Sequence, residues 1–348
     1  MKIIKPTNLS LDKFIRWSLY DKDSGYYMKK NPFGKKGDFI TAPNISRFFS
    51  EMVAIWVITF WQNLGSPKKF NLIELGAGNG EMMKVMMDSF KNFPEFFKSC
   101  NIIIHEKSEK LISDQKKNIN HSKIVWLKNI EKIDSIPTIF LANEFFDAIP
   151  IKQFFKKKNK WFERYVNITD YKKAKFINQE FDIKKLEREL DYRISKNQKI
   201  IEYSPETFEY LKKICEIIQI NSGGMLMIDY GYSSVKMKDT LQAVTNHKFS
   251  NVLENIGNSD ITHNINFNFF KKLINKFNNL NTVITNQRKF LISMGIVQRA
   301  EMISKNLSFS KKADIFYRIK RLLDQKQMGH LFKVMLVKSK KNKFKTGF

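Results

Sequence analysis

The chain has 348 residues and carries 61 Lys+Arg against 34 Asp+Glu, a formal charge of +27, with 43% hydrophobic and 14% aromatic residues. That composition supports one large domain or two closely joined ones and excludes wholesale disorder. No apolar run approaches the ~20 residues needed to cross a bilayer, since the best candidate, 52–61, has ten. The only cysteines, Cys100 and Cys215, exclude a disulfide framework and any multi-cysteine zinc site. The first residues lack the ~7–15-residue apolar core of a secretory signal and are not the Arg-rich, acid-free presequence of an organelle import signal. A cytoplasmic location is therefore expected.

Nine of the 61 basic residues are Arg, and Asn and Phe occur 31 times each. Lys, Asn, Ile and Phe are the residues that A+T-rich codons supply, so compositional drift accounts for much of the charge. Nucleic-acid sites favour Arg for bidentate readout, and no nucleic-acid partner is expected.

In chain order, residues 11–20 read as a helix, 24–43 as a Gly/Pro/Lys-rich loop and 45–64 as a buried helix. Residues 70–75, 101–105, 123–126 and 138–142 are short apolar runs of strand type, with a helical pattern over 81–93 between the first two. That rhythm predicts a parallel α/β sheet with right-handed crossovers. Residues 151–199 break it and read as an antiparallel insertion with strands near 161–166 and 175–181. Ser204-Pro205-Glu206 opens a helix that runs to about Ile220, followed by a fifth sheet strand over 225–229. A turn-rich stretch, a helix near 267–277, two further helices and a last strand over 331–337 follow, and the Lys/Asn tail after Lys338 is expected to fray.

The strongest local signal is Ile73-Glu74-Leu75-Gly76-Ala77-Gly78-Asn79-Gly80, a strand that ends in an acid and turns through glycines into a helix. Bare backbone there lets a ligand approach closely. The third glycine comes too early for a dinucleotide fingerprint, and the Lys-[Ser/Thr] of a P-loop is missing. Glu74 suits a cationic ligand such as the aminopropyl end of S-adenosylmethionine; a tight turn without a ligand is the plainer alternative. Glu106 follows the second strand, where an acid takes ribose hydroxyls in nucleoside-binding sheets, though it lies 30 residues after Gly76. Asn143-Glu144-Phe145-Phe146-Asp147 ends the fourth strand, beside the expected ligand crevice. Glu144 and Asp147 there either bind a methyl acceptor or anchor the next segment.

These residues match a family in order. The chain resembles the MidA-like class I S-adenosylmethionine-dependent methyltransferases, whose mitochondrial members assist assembly of respiratory complex I. The shared blocks are Gly25-Tyr26-Tyr27, the 37–43 segment, the Glu74–Gly80 loop, Asn143 to Ala148, Asp229-Tyr230-Gly231, 239–243, Asp260-Ile261-Thr262 with Asn266-Phe267, and Met328-Gly329 with Phe332-Lys333-Val334. The departures are Ala77, Asn79 and Asn44, where the family usually has Pro, Arg and Glu, and His330, where an acid or Arg is commoner; Asn44 removes a carboxylate near the N-terminal loop.

The resemblance implies an α/β fold with a Rossmann-like, mostly parallel, seven-stranded sheet, an N-terminal helical cap and inserted substrate-binding elements. It divides the chain into a cap and active-site loop (1–66) and a methyltransferase domain (67–348) with insertions at about 151–199 and 231–330. It implies S-adenosylmethionine as cofactor, held by Glu74, Gly76, Gly78, Gly80, Glu106, Asn143 and Thr41, and no metal. The implied substrate is an arginine of a complex I subunit, and a homodimer is compatible with it. Methyl transfer needs positioning more than acid-base help. Carboxylates that grip a guanidinium can aim one nitrogen, which makes Glu144 the orienting group, with Asp147 beside it and Asp38 in a loop that closes over the cofactor. A non-catalytic assembly chaperone and an RNA methyltransferase are the competing readings. The second calls for a basic, aromatic stripe beside the cofactor site, whereas the acceptor end is acidic.

Overall fold

The computed structural model describes residues 7–29, 41–170, 173–245 and 248–348. The central sheet comprises β1 (Phe70–Leu75), β2 (Cys100–His105), β3 (Ile124–Leu127), β4 (Thr138–Asn143), β5 (Gly223–Tyr232), β6 (Leu280–Asn286) and β7 (Phe332–Ser339). They lie in the order β6-β7-β5-β4-β1-β2-β3, and the two-residue strand Ile265–Asn266 adds an eighth beside β5. Strands β1 to β5 run parallel, and β7 is antiparallel to both β5 and β6. The mostly parallel α/β architecture is therefore as expected. Chain order reverses between β1 and β4, where Leu75 pairs with Ala142, so a crevice opens beyond their carboxyl ends.

The strands form because their side chains are covered on both faces, as parallel sheets require. Alternate residues feed two cores. Leu72, Ile102, Ile139, Leu141, Leu226 and Leu336 face the helices Arg47–Asn63 and Glu81–Phe90. Ile73, Ile103, Phe140, Met225, Met227 and Met335 face the helices Pro205–Asn221 and Phe267–Ile274. Cys215 is fully buried in the second core. Ser204 caps its helix by accepting from the Thr207 amide at 3.1 Å.

Several elements depart from the sequence reading. The crossover helix stops at Phe90, and Pro94, pre-set for a first helical turn, starts a second helix, Pro94–Ser99. The insertion is antiparallel as expected, through Lys152–Lys157, Lys160–Asp170 and Lys173–Phe181. It is larger than its own residues suggest, because Thr7–Ser10 and Ile200–Tyr203 join the same five-stranded sheet. After Ile274 the chain forms edge strand β6 and the helices Gln287–Ser293, Ile296–Ser304, Phe309–Leu323 and Met328–Leu331, rather than two helices. The tail after Lys338 is not frayed. Phe344 is buried edge-on against Trp56 and Phe60, which stack on each other, and Trp56 Nε1 donates to the Thr346 carbonyl at 3.2 Å. Among the described residues no helix is long and apolar enough to cross a membrane.

Candidate active site

Strand β1 delivers Leu75 to the crevice and the chain then turns sharply. Gly76 has φ +65°, and a Cβ there would lie 2.7 Å from the ring of Phe145. Only a bare backbone fits between that ring and the loop. The loop is tied down on several sides. The Gly76 amide donates to the His105 carbonyl at 2.9 Å, and Gln115 Nε2 donates to the Gly78 carbonyl at 2.9 Å. Gly80 caps the Glu81–Phe90 helix and packs against Ile119; it lines neither of the cavities described next.

Two cavities meet at the loop. The larger, about 320 Å³, is lined by Tyr20, Tyr27, Glu106, Phe145, Glu206 and Tyr210 among others. The smaller, about 40 Å³, is lined by Thr41, Glu74, Asn79, Met82 and Asn143 among others. Gly76, Gly78 and Glu144 belong to both.

Glu74 is buried, and burial, with a smaller contribution from Glu106, pushes its carboxyl up to about 8. Its Oε2 has no hydrogen-bond partner among the described residues. A buried carboxyl with an unpaired oxygen facing a cavity is an acceptor that a cationic, hydrogen-donating ligand group satisfies. Glu106 is better held: Oε1 accepts from the Lys107 and Ser108 amides at 2.8 and 2.9 Å, and Oε2 accepts from Gln115 Nε2 at 3.2 Å. Both oxygens keep acceptor capacity for hydroxyl donors.

Glu144 sits in the left-handed region, φ +50°, where a side chain other than glycine is strained. Its amide donates to the Ile228 carbonyl at 2.9 Å, and its Oε1 accepts from the Ala42 amide and Asn143 Nδ2 at 3.2 and 3.3 Å. Burial, then Asp147, pushes it up to about 8. Asp147 is buried against the Tyr230 hydroxyl and raised to about 6 by burial. It lies behind Glu144 rather than on either cavity wall. Thr41 accepts from Asn44 Nδ2 on its Oγ1 at 2.8 Å and caps the short helix Ala42–Ile45. Asp38 lies outside the described residues.

Sequence reasoning missed three supports. Fully buried Asp229 accepts from the Phe146, Asp147 and Tyr230 amides at 3.2, 3.3 and 2.9 Å, which fixes the strained turn carrying Glu144. Gln115 joins Gly78, Glu106 and Trp126 Nε1, the last at 3.0 Å. Its signal was a polar residue in the apolar stripe Leu111-Gln115-Ile119. His105, held neutral by burial at about 4, meets the Tyr210 hydroxyl at 2.7 Å, and Tyr210 lies edge-on to Phe145.

The departures at 44 and 79 touch each other. Asn79 Nδ2 donates to Asn44 Oδ1 at 3.0 Å, so a neutral amide pair links the glycine loop to the 41–45 segment. Among the described residues no group of three His, Cys, Asp or Glu is arranged to hold a metal.

A family model described as an S-adenosyl-L-methionine-dependent methyltransferase matches residues 52–285. The chain belongs to that methyltransferase family. It is similar to the protein arginine methyltransferase NDUFAF7, mitochondrial, of Xenopus tropicalis, 29% identical with 96% of this chain and 83% of that protein covered. The Homo sapiens counterpart is 27% identical, over 94% and 80% of the two chains. The NDUFAF7 homolog of Caenorhabditis elegans is 30% identical, over 79% and 70%. A COG1565 superfamily member from Burkholderia thailandensis, solved with S-adenosyl-homocysteine bound, shares the fold with a TM-score of 0.81 at 20% identity, covering 98% of this chain and 90% of that one. The cytoplasmic expectation is overturned, because these curated relatives are named as mitochondrial proteins.

The methyltransferase's cofactor is S-adenosylmethionine, and the unpaired Glu74 oxygen and the bare Gly76 cradle fit it. A pH dependence follows. Glu74 is raised from 4.5 to about 8 in the free protein, and a cationic ligand favours its ionised form. Cofactor affinity should rise as pH rises toward 8, by up to ~tenfold per unit for the one proton released. Isothermal titration in buffers of different ionisation enthalpy reads that proton, and Glu74→Gln should flatten the profile. Without cofactor the sign is opposite: the raised carboxyls of Glu74 and Glu144 contribute stability present below 4.5 and lost as pH climbs through about 8.

Proposed function

We propose that this methyltransferase modifies an arginine side chain of a protein, a subunit of respiratory complex I (NADH:quinone oxidoreductase), during assembly of that complex. The observation that carries the reading is Glu144, a strained, half-buried carboxyl shared by the two cavities and backed by Asp147 and Asp229. The relatives named as protein arginine methyltransferases support the arginine acceptor in this reading.

In this reading Glu74, Asn143 and Thr41 hold the amino-acid end of the cofactor, Gly76 and Gly78 press against it, and Glu106 takes the ribose hydroxyls. When bound, S-adenosylmethionine supplies an electrophilic sulfonium methyl. Guanidinium is a poor nucleophile because its lone pairs are delocalised. Glu144 grips it through paired N–H donors and aims one nitrogen. The arriving cation draws Glu144 and Asp147 toward their ionised forms, offsetting the burial that raises them when the site is free. Tyr20 and Tyr27, stacked at 5.4 Å between ring centres, wall the approach.

The finer architecture belongs to the same proposal. The sheet is read as a seven-stranded methyltransferase sheet with a short extra strand. Residues 1–66 act as a cap, and the insertions near 151–199 and 231–330 select the target. The test is mass spectrometry of complex I subunits from a strain lacking this protein, complemented with wild type or Glu144→Gln. An arginine that regains methyls only with wild type supports the reading. Restoration of complex I by Glu144→Gln without any methylarginine would establish a chaperone role instead.

A further inference from the structure

The helices Ile296–Ser304 and Phe309–Leu323 are joined by a short turn and pack on the core through one side only. The first buries Ile296, Ala300 and Ser304; the second buries Ile319, Leu322 and Leu323, all near its end. The first half of the second helix thus projects from the core. Large apolar side chains stand out around the turn: Met302 is 69% exposed, Ile303 43% and Phe309 88%. Phe316 and Tyr317, seven and eight residues after Phe309, continue that stripe along the same helical face, with Tyr317 65% exposed.

Lysines surround the stripe. Residues 299–326 hold eight basic against three acidic residues. Of these, Arg318 pairs with Asp314 and Arg299 with Glu51, while Lys305, Lys311 and Lys320 are exposed. Lysine excess alone reflects composition. Here it coincides with protruding aliphatic and aromatic groups, which drift does not place at helical spacing.

We infer that this helix pair is a docking surface for an anionic lipid membrane. Protruding apolar side chains enter the soft boundary between headgroups and acyl chains, and flanking lysines meet the anionic headgroups. A second copy of the chain is disfavoured as occupant because two lysine rims would face each other. Met302 and Ile303 have no use for a phosphate backbone, which disfavours nucleic acid. The surface also touches the active-site segment: Arg318 donates to the Ile45 carbonyl at 3.4 Å, three residues from the Ala42 amide that holds Glu144. Docking there would set the crevice at a fixed relation to the membrane face.

The test is co-sedimentation of the full chain with vesicles of phosphatidylcholine alone or mixed with phosphatidylglycerol, at low and high salt. The chain should bind the mixed vesicles, ignore phosphatidylcholine and detach as salt rises. The combined variant Phe309→Ser, Phe316→Ser, Tyr317→Ser should partition at least about tenfold more weakly. Lys305→Glu with Lys311→Glu and Lys320→Glu should remove the salt-sensitive part. Cofactor affinity, unchanged in both variants, reports the fold. Failure of the wild type to bind mixed vesicles overturns the inference, as does equal binding by the triple serine variant. Association of the wild type with itself in place of vesicles would assign the face to a second copy. None of these readouts depends on which residue the enzyme methylates.

Discussion

Glu144→Gln should abolish product while leaving S-adenosylmethionine affinity within about twofold of wild type. The amide keeps the shape of the carboxyl and can still accept from the Ala42 amide. It removes the charge that aims a guanidinium and stabilises its positive charge as the methyl arrives. Losing one preorganised electrostatic partner of a transition state costs about 10²–10³ in turnover, and here a bidentate grip goes with it. Cofactor affinity should hold because the buried acid without a partner at that end is Glu74. Single-turnover transfer from labelled cofactor, beside isothermal titration, separates the two quantities. Unimpaired turnover would remove Glu144 from its role; a parallel loss of cofactor affinity would move it to the cofactor site.

The second large effect is expected at Gly76. Gly76→Val places a Cβ 2.7 Å from Phe145 Cδ2 at a φ of +65°, which β-branched residues avoid. The ring must shift or the loop must leave the position that presses it toward the ligand. Strain of ~1–3 kcal/mol, added to the lost approach, predicts a fall in cofactor affinity of about 100-fold or more. The protein should still fold, because the loop's ties at Gly78 and Asn79 are made by Gln115 and Asn118 rather than by Gly76. A cooperative thermal transition with lost cofactor binding is the expected pair of results. Retained binding would show that backbone approach at Gly76 is dispensable.

Much of the fold was legible because its strands are short, continuously apolar and separated by one clear helix, a pattern set by local sequence. The Glu74 loop and Glu106 were legible for a chemical reason, since acids at strand ends beside glycines stand out against apolar runs. What escaped was decided at long range. Thr7–Ser10 joins a sheet whose other strands lie some 150 residues away, and nothing local in it announces a strand. Phe344 and Phe348 sat in a lysine-rich tail whose average polarity hid two anchors, buried or packed against Trp56 and Phe290. Asp229 was visible only as a motif residue. Its work is to receive three backbone amides from and beside the Glu144 turn, a role that exists only once β4 and β5 lie side by side. The Asn44–Asn79 contact was likewise invisible. Two separate losses of charge in the sequence become one hydrogen bond in space.

The charge that dominates the composition plays a smaller part at the crevice than its size suggests. Two basic side chains, Arg16 and Lys107, line the crevice beside its acids and aromatics, and both are paired with Glu206.

The most direct measurement incubates the purified protein with methyl-labelled S-adenosylmethionine and complex I subunits from cells that lack it, then locates the label by mass spectrometry. The account predicts label on an arginine side chain, absent with Glu144→Gln. Label on another residue type, or none while the cofactor binds, would contradict it.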